Sequence, residues 1–344
     1  MQLDQGTTSS KNLGIELLRV LSVLYIVGFW HLLNYTEAIP NYNNIATSTL
    51  TDIILATFVF ISGFFAATKF KKINVASVLS FFSRKILRIY PLYFLAIVSF
   101  FLLGLNSAMI SAKALVFLSM LFKPAPQTLW FITMIMLFMF FTPVFSLLAQ
   151  KLSLRNYWRI VILGVLGGTL WYYFFRTIDL RLLLYFPAYM TSILLAQNRI
   201  PLAPKHPGLL VIAFGTLLLS LPELNSGGIT ILLNLPLVTL TSYLLFSYFY
   251  RLKFSRIKYL SLLTFVGYAS YALYLFHRPL LVMMKTVYFP EDLLQQLLIL
   301  VFIYLPFTII FAFDIQKLYD LFQNYLYGYF TRQKNKVSLV SRDT

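Results

Sequence analysis

Apolar runs of bilayer-crossing length follow one another along this chain and leave it few folds. A membrane helix needs about 20 mostly apolar residues, and about ten runs meet that criterion. They are Gly14–Tyr35, Leu50–Thr68, Ile86–Leu105, Thr128–Ala149, Tyr157–Phe175, Leu180–Gln197, Gly208–Leu221, Ile229–Tyr250, Leu262–Met284 and Leu293–Phe313. The runs are continuous and lack period-two alternation, which argues against a β-barrel. Only 11% of the residues are charged and 59% are apolar. One soluble domain cannot hide so much apolar surface, and the charge is too sparse for a disordered chain. The expectation is an all-α, polytopic transmembrane helical bundle. Residues 1–12 form a short polar tail, 13–325 the membrane domain and 326–344 a basic, mobile tail. The first run is too long and wrongly flanked for a cleaved signal peptide. Pro187 predicts a kink in the sixth run.

The 28 Lys and Arg outnumber the 11 Asp and Glu, giving a net charge of +17. Nucleic acid is not needed to explain this, because cytoplasmic connections of membrane proteins are enriched in basic residues. Lys69, Lys71, Lys72, Arg84, Lys85 and Arg88 follow the second run. Lys151, Arg155 and Arg159 follow the fourth, Arg199 and Lys205 the sixth, and Arg251, Lys253, Arg256 and Lys258 the eighth. Odd connections carry fewer: none in Thr36–Thr49, then Lys113 and Lys123, Arg176 and Arg181, none in Pro222–Gly228, and Lys285. This alternation predicts an even number of spans with both termini in the cytoplasm. The chain has no cysteine, which excludes disulfides, thiolate zinc sites and a cysteine nucleophile. No metal-ligating constellation is visible.

Ionisable groups inside a span are costly and mark function by default. Glu16 and Arg19 stand three apart on one helix face. His31 lies twelve residues beyond Arg19, about 18 Å further along a helix. Run nine carries His277 and Arg278 at about the same depth as His31. The bland readings are a snorkelling arginine and interfacial histidines. His206, beside Pro207, reads as solvated. Arg84 and Arg88 share a face at the inner surface, suited either to a phosphate ligand or to anionic lipid. Ser62-Gly63 permits close helix packing or the passage of a slender ligand. Trp130 also reads as an interfacial tryptophan, and Tyr271 and Tyr274 as packing aromatics.

Together these pieces resemble the bacterial acyltransferase 3 family of integral membrane acyltransferases. The resemblance rests on Glu16, Arg19 and His31; on Phe58 to Phe64; on Arg84 to Pro91; on Leu129 to Phe131; and on Ser270 to Pro279. The middle of the chain, from Gln150 to Lys258, matches only as apolar runs. Two departures stand out. Relatives place ten residues between the arginine and the histidine, and here Val20 to Trp30 make eleven. An offset of twelve turns the two side chains about 120° apart around an α-helix, whereas eleven leaves about 20°. A one-residue π-bulge near Gly28 would restore the shared face. Many relatives also carry an acid where this chain has Ala56; Asp52 lies one turn earlier and is left unassigned.

The resemblance implies transfer of an acyl group, acetyl or succinyl, from cytoplasmic acyl-CoA to a hydroxyl of a surface or exported polysaccharide at the bacterial cytoplasmic membrane. It implies His31, Arg19 and Glu16 as catalytic residues. Arg84, Lys85, Arg88, Ser62 and Gly63 would bind the donor, with His277, Arg278, Trp130, Ser270 and Tyr271 as further site residues. No cofactor would be bound permanently, and the partners would be acyl-CoA, the glycan and the bilayer. The geometry requires an internal passage from Arg88 to His31. Competing readings are a transporter or flippase of lipid-linked glycan, and a non-catalytic partner of a glycan synthase.

Overall fold

The computed structural model describes residues 12–203, 232–252 and 260–340. The described helices are α1 Leu13–Tyr25, continued by a π-helical segment Ile26–His31; α2 Ile45–Ala67; α3 Val75–Leu102; α4 Ala108–Leu115; α5 Trp130–Lys151; α6 Leu154–Phe175; and α7 Leu180–Ala196. They continue with α8 Leu235–Arg251, α9 Leu260–Val287, α10 Leu293–Ile299, a π segment Leu300–Tyr304, and α11 Leu305–Val340. No strand occurs among the described residues. Seven of these helical segments are long and apolar enough to cross a membrane, and α7 is a shorter apolar helix. The predicted run Gly208–Leu221 and His206 lie outside the described residues.

Helix starts follow local capping chemistry. Asn44 and Asn74 open α2 and α3 with capping boxes completed by Thr47 and Ser77. Ser153 and Asp179 cap α6 and α7. Each cap satisfies a backbone N–H that the helix itself leaves unpaired. The observed helices differ from the apolar runs in three places. The third helix starts at Val75 instead of Ile86, because the Asn74 cap sets its origin, so Arg84, Lys85 and Arg88 sit inside a helix and not at its entry. A short helix, α4, fills the connection before α5. The last helix continues to Val340, through most of the predicted mobile tail.

The core gathers α1, α2, α5, α7 and α9, with Val23, Val59, Met134, Tyr189 and Leu273 fully or almost fully buried. Gly63 sets the distance between α2 and α7. A Cβ there would overlap Ser192 Oγ and lie 3.0 Å from the Tyr189 ring. Such small-residue contacts draw membrane helices together. On α6, Leu163, Leu166, Phe174 and Phe175 point outwards. Outward apolar side chains are what lipid solvates.

Candidate active site

The π segment Ile26–His31 surrounds Gly28, as the Arg19–His31 spacing predicts. Its wider turn absorbs the extra residue. Arg19 and His31 consequently face the same neighbour, α9. Arg19 Nη2 donates to Gly267 O at 2.8 Å and to Glu16 Oε2 at 2.8 Å. The His31 ring stacks on that of His277, with centroids 4.8 Å apart and planes 3° apart. Ser270 Oγ donates to the same Gly267 carbonyl that holds Arg19. Tyr271 OH donates to Ile89 O, tying α9 to α3 beside Arg88.

His277 Nδ1 lies 2.9 Å from Tyr274 O. A carbonyl only accepts, so Nδ1 carries the proton and Nε2 of the neutral ring is an acceptor. That Nε2 is buried without a partner, as are His31 Nδ1 and Arg278 Nε. Buried polar atoms are seldom left unpaired, and each such group asks for an explanation. A substrate at this level would supply the missing partners.

His31 lines a cavity of about 310 Å³ with Ile26, Trp30, Ser48, Thr51, Asp52, Leu55, Trp130, Arg181 and Tyr274. Asp52 and Arg181, neither of which the sequence marks as a site residue, both stand in the wall of this cavity. Tyr185 OH donates to Asp52 Oδ1 at 2.8 Å. Arg181 Nε and Nη2 donate to the two carboxylate oxygens of Asp179 at 2.9 and 2.6 Å. Its guanidinium lies 3.9 Å from the centre of the Trp130 ring. Burial alone would raise the Asp179 carboxyl, but the hydrogen bonds and charge of Arg181 outweigh it and hold that carboxyl below the usual range. The sequence signal for this wall was an acid two residues before an arginine at the start of an apolar run.

Arg84 and Lys85 share a turn of α3 with Arg88 one turn further on, and none pairs with a described carboxylate. Arg84 and Arg88 are exposed. The cavity that holds His31 does not include Arg19 or Arg88. Val20, Val23 and Val27 are buried at the levels between. The open passage expected from the sequence is therefore not a feature of this cavity. Gly63 acts in helix packing, as described above. Among the described residues no group of three or more metal-ligating side chains converges.

Helical spans, a stacked pair of histidines and a cavity beside one of their rings define a multi-pass membrane protein. A family model described as an acyltransferase domain matches residues 12–317. The chain belongs to this acyltransferase 3 family and is a membrane acyltransferase. No curated protein and no solved structure matches it.

Proposed function

We propose that this chain moves an acetyl group from acetyl-CoA to a hydroxyl of a surface or exported polysaccharide at the bacterial cytoplasmic membrane, with both termini inside. The observation that carries the proposal is His31, which lines a polar cavity while its ring rests on His277. CoA is rich in phosphate and made in the cytoplasm. Arg84, Lys85 and Arg88 are unpaired cations among the described residues and suit its phosphates. Arg19, held by Glu16 and Gly267, stands on the donor side of His31. Donor entry by this route requires the Val20–Val27 layer to part for the pantetheine arm, and the Ser62–Gly63 step serves the site through α2–α7 packing.

The acceptor oxygen attacks the thioester carbon as neutral His31 takes the hydroxyl proton. The tetrahedral intermediate then expels the CoA sulfur, which receives that proton from His31. An ester and free CoA result. His277 presents an acceptor at Nε2, so stabilising the oxyanion falls to a donor such as Arg278. Succinyl-CoA fits the same steps. The test compares polysaccharide from cells carrying the wild-type chain and His31→Ala at equal membrane abundance. The proposal requires the ester to vanish in the variant; an ester that persists ends it.

A further inference from the structure

We infer that Asp52 and Arg181 hold the acceptor by the hydroxyls of one neutral sugar ring and reject anionic sugars. This inference rests on the acyl-transfer reading for the word acceptor, but the binding it predicts needs no donor. Asp52 Oδ1 is engaged by Tyr185, whereas Oδ2 has no hydrogen bond to any described residue. Arg181 spends Nε and Nη2 on Asp179, and Nη1 makes no hydrogen bond among the described residues. The cavity wall thus offers one open acceptor and one open donor. A pair of neighbouring hydroxyls satisfies both, because each hydroxyl both donates and accepts. Trp30, Trp130 and Tyr274 line the same space, and Trp30 and Tyr274 supply apolar surface for the C–H side of a pyranose. About 310 Å³ is at the low end of small-ligand sites, so a single ring enters and not a polymer segment.

Charge sets the selectivity. Asp179 already neutralises Arg181. Asp52 then leaves the two carboxylates outnumbering the one guanidinium on this wall, and its carboxylate repels a uronate or phosphate placed beside it. Tyr185 holds the carboxylate by a hydrogen bond made across the packed α2–α7 contact.

The test uses the purified full chain in detergent, titrated with methyl glycosides of glucose, galactose and mannose and with their uronide counterparts. Emission from Trp30 and Trp130 reads binding. At least one neutral probe should bind about tenfold or more tightly than its uronide. Asp52→Asn keeps the shape and removes the charge, so it should narrow that ratio by strengthening uronide binding. Tyr185→Phe leaves the charge in place and should keep the neutral preference. No neutral preference in the wild type, or an unchanged ratio in Asp52→Asn, overturns the inference. A chain that prefers neutral glycosides yet transfers no acyl group sinks the proposed function and leaves this subsite standing. A chain that transfers acyl groups with no such preference does the reverse.

Discussion

The rings of His31 and His277 lie parallel, 3° apart, in two helices that meet from opposite ends of the chain. The contact places one imidazole on the cavity and backs it with another whose proton is committed to Tyr274 O. His31→Ala is expected to lower acyl transfer by about 100-fold or more, the usual range for losing a general base. Membrane abundance should be unchanged. Acetyl-CoA consumption by purified protein checks this.

The π segment supplies a second prediction. Deleting Val27 removes the surplus residue, and α-helical winding then carries His31 to nearly the same face. Transfer should stay within about tenfold of wild type, since misplacement of about 1 Å costs about 100-fold. Deleting Ile54 from regular α2 offers no such escape and turns Asp52 relative to Ser62, so activity should be lost. Initial rates on the two deletions decide the matter.

Gly63 is a packing residue. Gly63→Ala should destabilise the protein by about 1–3 kcal/mol, the usual cost of overpacking. Combining it with Ser192→Ala removes the overlapping hydroxyl and should recover part of that loss. Thermal unfolding in detergent measures both; an unaffected Gly63→Ala refutes the close contact.

Arg88→Ala should raise the KM for acetyl-CoA more than it lowers kcat, because its proposed role is to hold the donor away from the reacting bond. Added salt should reduce the difference between variant and wild type, since an exposed charge is screened. A change in kcat alone would place Arg88 elsewhere.

The Asp179–Arg181 pair carries a pH signature. The folded state holds the Asp179 carboxyl below its ordinary range. Its contribution is therefore present above the unfolded carboxylate pKa, about 3.9, and is lost as pH falls through the lower folded value. Asp179→Asn should cost about 1–3 kcal/mol at neutral pH, and the gap to wild type should close in acid. Unfolding midpoints of both proteins across pH give the comparison.

Much of the architecture was legible before folding. Apolar runs are one-dimensional, so most of the membrane-length helices were found close to their observed limits. Their starts were harder: Asn74 caps α3 through Ser77, a local bond that outweighs the first strongly apolar residue. The π segment was legible because a surplus residue must be absorbed if Arg19 and His31 are to share a face. Gly267 was missed because its role is a carbonyl, which every residue has. Asp52 and Arg181 escaped because their partners lie on other helices or acquire meaning only beside the cavity.

By itself, the order of residues determined that this chain is a bundle of apolar helices, with cations grouped at certain connections and two histidines at matching depth. Those properties depend on helical rise and hydrophobicity, which are local. Folding alone decided that the histidine rings stack, that α2 and α7 bring Asp52 to Tyr185, and that a cavity opens beside His31 while the valines below it close. Such features depend on which helix faces meet, and that choice is made by packing across the whole bundle.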